Sequence, residues 1–256
     1  MRNALIICRK ELRSYFVSPV AYILLIMFGL IFGYFFWTAL TYFTLEGMEM
    51  QMRGQMYPMN LNEQVIRPLL QNVSFVGCLF FIPIITMRLF AEEKRNGTIE
   101  LLVTSPIRDM EIIIGKWLAA LALYSCILLL TVLNFAFLFR YGNPDWKPLA
   151  IGFLGLLLQA GALLAVGTFI STLTKNQIIA ATVTYGVVIL LWVLDWVSQF
   201  ESATWARVLS YISVVPHFNS FVRGVLDSKD AVFYATVIFL GLFLTARSME
   251  SLRWRS

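Results

Sequence analysis

Charged side chains are scarce in this chain: Asp, Glu, Lys and Arg make up 14% of its 256 residues, whereas hydrophobic residues make up 59%. Soluble domains carry about 25% charged residues, because a surface that faces water needs them. With a mean hydropathy of +0.75, the chain could not cover a water-facing surface, but it can face lipid. The composition therefore argues against a soluble globular domain and predicts an integral membrane protein.

Groups that could hold a metal ion or attack a substrate are also few. The chain has one histidine, and its three cysteines, Cys8, Cys78 and Cys126, are scattered in or beside apolar segments. A zinc site or a Ser–His hydrolase requires several such groups to converge. We therefore expect no catalytic residue and no metal site, and we interpret the cysteines as small apolar side chains.

A phosphate-binding loop for a nucleotide is missing as well. The motif G-x-x-x-x-G-K-[ST] does not occur, because Gly115-Lys116 lacks the upstream glycine and is followed by Trp117. If ATP drives this protein, ATP and Mg²⁺ are bound by a partner. This chain is expected to bind no cofactor and to be no enzyme by itself.

Six apolar segments are long enough to cross a membrane, which takes about 20 helical residues for about 30 Å of hydrocarbon. They cover residues 20–43, 73–90, 112–139, 149–173, 178–196 and 231–246. Lipid offers the backbone no hydrogen-bonding partner, so each segment is expected to be helical. The sequence predicts a single transmembrane domain over residues 1–256, an all-α polytopic fold with six transmembrane helices.

The distribution of basic residues predicts the orientation. If both termini are cytoplasmic, 13 of the 20 Lys and Arg residues lie on the cytoplasmic side and the other 7 on the opposite side. The positive-inside rule favours this topology. The net charge of +5 then reflects topology and attraction to the anionic inner leaflet of the membrane, not binding of nucleic acid.

Residues 1–18 have the pattern of an amphipathic helix. Apolar residues recur at helical spacing while basic residues fall on another face. The apolar set is Leu5, Cys8, Leu12 and Tyr15, and the basic set is Arg2, Arg9 and Arg13. Such a helix should lie in the plane of the membrane interface, although the basic residues can also serve only to set the topology. Ser18 can cap the next helix and Pro19 fits its first turn.

The connection between the second and third segments changes abruptly from apolar to polar. Gly97 permits a sharp change of direction, and an apolar patch too short to span the membrane follows, made of Ile99, Leu101, Leu102 and Val103. Ser105-Pro106 restarts a helix. This pattern predicts a short helix at the cytoplasmic surface whose apolar patch requires a partner; an ordinary polar loop is the alternative.

Two stretches resemble known sequences. The run EEKRNGTIELL at 92–102, with SP at 105–106 and GK at 115–116, resembles the signature of ABC-2 type transporter permeases. It is most similar to the permeases associated with gliding motility and with maturation of copper-dependent enzymes. A second match comprises PHF at 216–218 and FVRGVLD at 221–227.

This resemblance implies a transporter membrane subunit in the bacterial cytoplasmic (inner) membrane. In such systems the segment between spans two and three is a coupling helix that sits in a cleft of a cytoplasmic ATPase. The implied docking residues are Glu93, Gly97, Thr98, Glu100, Leu101 and Leu102. The implied partners are two copies of an ABC ATPase, a second permease copy in a homodimer or heterodimer, and membrane lipid.

The second match implies a short helical element on the outer face, between spans five and six. Its residues are Pro216, His217, Arg223, Gly224 and Asp227. This element is a candidate contact for an outer-face accessory protein. From the residues alone, His217 is expected to be packed or solvated at the outer surface and not to be a metal ligand.

The resemblance implies that ATP hydrolysis by the partner drives export, or drives mechanotransmission in which nothing crosses the membrane. The alternative is an autonomous secondary transporter or channel. That function needs ionisable groups and broken helices near the middle of the membrane. The predicted spans contain very few ionisable residues, which argues against it.

Two pairs of small residues stand four apart in the predicted spans: Gly29 and Gly33 in the first, Gly161 and Ala165 in the fourth. Small residues let helices approach closely. Both pairs can pack helices within one subunit, and the first can also line a contact between two subunits.

Methionines are concentrated in the predicted loop from Leu45 to Asn72. They are Met48, Met50, Met52, Met56 and Met59. Thioether sulfur selects Cu(I), so a copper contact is one hypothesis. Methionine also fills irregular apolar surfaces without any ligand, which is the simpler interpretation.

Overall fold

The computed structural model describes residues 2–54, 60–100, 107–200 and 204–253, and these residues form helices and turns without a strand. Among these residues, six helices are long and apolar enough to cross a membrane. We number them span 1 (Pro19–Met52), span 2 (Asn62–Asn96), span 3 (Asp109–Tyr141), span 4 (Trp146–Leu173), span 5 (Gln177–Phe200) and span 6 (Ser228–Arg253). The prediction of an all-α polytopic fold with six such helices is confirmed.

A separate N-terminal helix, Arg2–Val17, precedes span 1. Ser18 has an extended backbone, and its hydroxyl accepts from the amide of Val20, so it caps span 1 with Pro19 in the first turn. The apolar set predicted for this helix is divided between two environments. Tyr15 is buried against the protein, whereas Leu5 is 64% exposed.

Span 1 is longer than predicted. At 1.5 Å per residue its 34 residues extend about 51 Å, well beyond about 30 Å of hydrocarbon. The predicted loop from Leu45 to Asn72 was therefore too long, because span 1 continues to Met52. Met48 and Met50 are two residues apart on this helix, about 200° around its axis, so they point in opposite directions. Residues 55–59, with Met56 and Met59, lie outside the described residues.

Span 2 begins at Asn62, eleven residues before the predicted start at 73, and is irregular. It contains two π-helical turns, Asn62–Ile66 and Gly77–Phe81, and α-helix resumes with a proline near the start of the next segment in each case. Polar residues concealed its first turns from a hydropathy search. They are helical all the same: the Glu63 and Arg67 side chains pair at 2.7 Å one turn apart.

Span 4 packs closely on span 6 through small residues. A Cβ added to Gly241 of span 6 would lie 2.8 Å from the carbonyl carbon of Ala165, and one added to Gly161 would lie 3.3 Å from Ile238. The Trp117 indole of span 3 also donates to the Gly161 carbonyl at 2.9 Å. The Gly161–Ala165 pair therefore packs helices within this chain.

The two ends of the bundle differ. The proximal end is where the N-terminal helix meets the end of span 2, the start of span 3 and the ends of spans 4 and 6. The distal end carries two short helices, Thr204–Ile212 and Val214–Val222, between spans 5 and 6.

Candidate functional site

A buried lysine joins three elements at the proximal end. Lys116, in the second turn of span 3, is 2% exposed. Its Nζ lies 2.8 Å from Glu93 Oε1 near the end of span 2 and 3.1 Å from Glu11 Oε1 of the N-terminal helix. The same ammonium lies 5.4 Å from the ring centroid of Phe90. A buried charge must be paired, and the partners of this ammonium group come from two other elements. The ammonium therefore holds the three elements together. We call Lys116, Glu93 and Glu11 the lysine junction.

The lysine junction carries one positive and two negative charges. Both carboxylates are mostly buried, with the side chains of Glu11 and Glu93 18% and 16% exposed. Glu93 Oε2 is buried and has no hydrogen-bond partner among the residues that the structure describes. A displacement of the N-terminal helix or of the end of span 2 would therefore be unfavourable. A carboxylate that moved away from the ammonium would be left unpaired in a low-dielectric site.

Gly115 brings the N-terminal helix close to span 3 beside the lysine junction. A Cβ at this position would lie 2.8 Å from the carbonyl oxygen of Ala4 and 2.9 Å from Cβ of Ile7. Gly115 and Lys116 therefore act on neighbouring points of the same contact: the glycine allows the close approach, and the lysine supplies the ion pair.

Ser171, near the end of span 4, holds the last helical segment of span 2, Ala91–Asn96. Its hydroxyl accepts from the backbone amides of both Phe90 and Ala91 at 3.1 Å. It thereby satisfies amides that a helix start leaves unpaired. Lys94 of the same segment donates to the Thr172 carbonyl.

These contacts continue to span 6, because the Thr172 hydroxyl donates to the Ser248 hydroxyl at 2.9 Å. The end of span 2 is thus bonded directly to spans 3 and 4. Through Lys116 it is linked to the N-terminal helix, and through Thr172 it is linked to span 6.

The segment that follows is the predicted docking region. Gly97 has φ +73°, the left-handed conformation that glycine favours at a helix C-terminus. Gly97, Thr98 and Glu100 are exposed, and Glu100 is helical. Glu93 differs from them because its carboxylate turns inward to Lys116. Leu101 and Leu102 lie outside the described residues.

Of the lysine junction, only Glu93 was predicted from the sequence as a site residue. In the sequence, Lys116 was noted only in the incomplete phosphate loop and in the GK at 115–116 of the family signature. The feature of the sequence that could have identified Lys116 is a lone cation at the edge of a long apolar segment, because such a cation requires a partner. Nothing local marks Glu11 or Ser171, because their partners are distant in sequence.

At the distal end, His217 is buried between helices. Its Nδ1 lies 2.7 Å from Asp230 Oδ1, its Nε2 lies 2.9 Å from the Tyr211 carbonyl oxygen, and its ring stacks on Phe233 with centroids 3.9 Å apart. A carbonyl can only accept, so Nε2 carries a hydrogen and one further proton lies between Nδ1 and Asp230. Of the two predicted environments, packed or solvated, the packed one is observed.

The other residues of the predicted outer element lie in a short helix or in the segment that follows it. Pro216 lies in the first turn of Val214–Val222, and Arg223 follows that helix with its side chain exposed. Gly224 has φ +78°, and an added Cβ would lie 3.1 Å from Pro148. The Lys229 backbone amide, and secondly its ammonium group, hold the pKa of Asp227 below its usual value.

Replacing Asp230 by alanine is expected to destabilise the distal end by about 1–3 kcal/mol, because buried Nδ1 of His217 would lose its partner. Asp230→Asn should retain most of the stability, since an amide can donate to Nδ1 while Nε2 still donates to Tyr211. Reversible denaturation of both variants in mixed micelles measures this difference. Equal losses in the two variants would contradict the shared-proton arrangement.

The predicted pair Gly29 and Gly33 faces two environments. A Cβ on Gly29 would lie 3.9 Å from Leu130 of span 3, an ordinary contact within the chain, whereas no atom of the described residues lies within 4 Å of a Cβ on Gly33. Gly33 therefore leaves an open position on the outer surface of span 1.

The sequence matches the family model for ABC-2 family transporter proteins over residues 5–245. It is 27% identical over 173 residues to the probable multidrug ABC transporter permease YbhR of Escherichia coli K12, and the Escherichia coli O157:H7 protein of that name matches equally. The matched region covers 65% of this chain and 44% of each relative. The chain thus aligns with less than half the length of these curated relatives. Because the family model covers nearly the whole chain, the protein belongs to the ABC-2 family of transporter proteins.

Proposed function

We propose that this chain is the permease subunit of an ABC-2 type transporter and that it transmits ATP-driven motion of a separate ATPase. The lysine junction supports this proposal most directly. The segment that would dock on the ATPase, from Gly97 onward, begins four residues after Glu93, which pairs with Lys116 at 2.8 Å. A displacement of the docked segment would therefore act on span 3 and on the N-terminal helix at the same time.

Spans 4 and 6 would receive the same displacement through Ser171, Thr172 and Ser248. These hydrogen bonds start at the backbone amides of Phe90 and Ala91, at the base of the docking segment. Rigid helices that share such contacts move together when one of them is displaced. The permease thus has a route from a docked ATPase into four of its six spans without a nucleotide site of its own.

In this proposal ATP and Mg²⁺ are bound by two copies of the cytoplasmic ATPase, and two permease copies face each other. The open position at Gly33 is consistent with a contact between copies, because a small residue lets a second helix approach closely. We place the proximal end at the cytoplasmic side of the bacterial inner membrane, with both termini cytoplasmic, since basic residues predominate there.

The transported molecule is proposed to be amphipathic or polymeric. In a variant of this function, the ATP cycle moves an outer-face partner and nothing crosses the membrane. The name of the Escherichia coli relatives refers to multidrug transport, which agrees with an amphipathic cargo. The spans are predominantly apolar, which also favours such a molecule over a small hydrophilic solute.

Reversing the charge of exposed Glu100 tests the docking surface. Glu100→Arg is expected to leave insertion and folding intact but to weaken ATPase association and to reduce coupled ATPase activity, because it reverses the charge of an exposed docking surface whose electrostatic complementarity would be lost. Affinity purification in mild detergent, with quantification of the co-purifying ATPase, measures the effect. Glu46→Arg, at an exposed position near the distal end of span 1, is the matched control.

A chain that purifies alone in several gentle detergents and supports ion-gradient-driven flux in liposomes would reject the proposal in favour of an autonomous carrier. Unchanged assembly and activity in Glu100→Arg would remove only Glu100 from the docking surface.

A further inference from the structure

The N-terminal helix has a basic face that no described carboxylate neutralises. Its members are Arg2, Arg9, Lys10 and Arg13, all with exposed side chains, and we call them the basic face. The only acidic residue of this helix, Glu11, lies on the opposite side and pairs with Lys116. The helix therefore directs its negative charge into the protein and four positive charges outward.

Apolar side chains are interleaved with the basic face. Leu5 and Ile6 are 64% and 59% exposed, and Val17 is 79% exposed. At 100° per residue, Leu5 and Ile6 fall on the same side of the helix as Arg9. A surface on which long cationic side chains alternate with apolar ones suits the membrane interface, where the charged groups reach headgroups and the apolar groups reach acyl chains.

The basic face is also continuous with the outward surface of span 1. Span 1 begins at Pro19, directly after the cap at Ser18, and its first exposed apolar residues are Tyr22, Ile23 and Ile26. The helix thus lies at the level where span 1 would enter the hydrocarbon. This position favours a lipid headgroup over an acidic protein surface as the occupant of the basic face.

We propose that the basic face is a binding site for anionic phospholipid headgroups. Arginine forms paired hydrogen bonds with phosphate oxygens, and each basic residue near an anionic surface strengthens binding about fivefold. Neutralising three of the four residues should therefore weaken binding about 100-fold. The inference concerns the permease alone and does not depend on the ATPase.

The test compares lipid binding by purified full-length protein. Delipidated wild type and R9Q/K10Q/R13Q are titrated with phosphatidylglycerol and, separately, with phosphatidylcholine in detergent micelles, and bound lipid is counted by native mass spectrometry. The matched control is R53Q/R140Q/K147Q, which removes three exposed basic residues at the distal end. Circular dichroism and thermal unfolding confirm that each variant is folded.

We expect R9Q/K10Q/R13Q to require about 100-fold more phosphatidylglycerol for its tightest binding step, with phosphatidylcholine binding unchanged and the control variant like wild type. Equal loss in the control would show non-specific attraction and overturn the proposal. Wild-type lipid binding by R9Q/K10Q/R13Q would also overturn it, and if that variant no longer co-purified with the ATPase, the basic face would be a protein-docking surface.

Discussion

Replacing Lys116 by glutamine is expected to lower the free energy of unfolding by about 3–5 kcal/mol, because two mostly buried carboxylates lose their shared counter-ion. Glu11 and Glu93 would then face each other across a site of low dielectric constant. Reversible denaturation in mixed micelles measures the change. Arg247→Gln is the control, since its ion pair with Glu250 is largely exposed and should contribute less than about 1 kcal/mol.

A second variant separates stability from transmission of motion. In K116M/E11M/E93M no charged group remains, and well-packed apolar replacements of a buried ionic group are often as stable as the original. We expect this variant to regain most of the stability and to bind the ATPase, but to show weak coupling between ATPase activity and transport. Wild-type coupling in the stable triple variant would show that the lysine junction is only structural.

Gly115→Ala is expected to displace the N-terminal helix from span 3. The new Cβ would lie 2.8 Å from the backbone oxygen of Ala4, and backbone cannot move aside as a flexible side chain can. Overpacking of this kind destabilises by about 1–3 kcal/mol. Gly186→Ala in span 5 is the matched control, because no described atom lies within 4 Å of the added Cβ.

The reactivity of Cys8 reports on this displacement. Burial raises the pKa of the Cys8 thiol, which lowers the fraction of reactive thiolate. If Gly115→Ala lifts the helix, Cys8 should react faster with a maleimide, as peptide mapping of the labelled protein would show. An unchanged rate at Cys8 in a folded Gly115→Ala protein would mean that the helix accommodates the methyl group in place.

Features that depend only on residues adjacent in the sequence were predictable. The Ser18-Pro19 boundary follows from capping and from the fixed φ of proline. The turn at Gly97 follows from the left-handed conformation that glycine tolerates. Span 2 was predicted less well because its first turns mix Glu63 and Arg67 with apolar residues, and a hydropathy search stops at such charges.

The functional assignments of residues were harder to obtain from sequence. Glu93 was identified as a docking residue through the family signature, but the structure turns its carboxylate toward Lys116 and away from solvent. The partner of His217 was missed because Asp230 falls one residue before the predicted start of the sixth segment. In both cases the decisive contact joins residues on different helices.

The sequence alone determined that this is a membrane protein with six long apolar helices and no motif for binding a nucleotide. Those properties are local, because hydropathy, length and motif spacing are read within one stretch of chain. The tertiary structure decided which polar groups meet: Lys116 and Glu11 are 105 residues apart, and Ser171 and Phe90 are 81 apart. Burial forces such groups to find partners, but only the packing of the helices determines which partners are within reach.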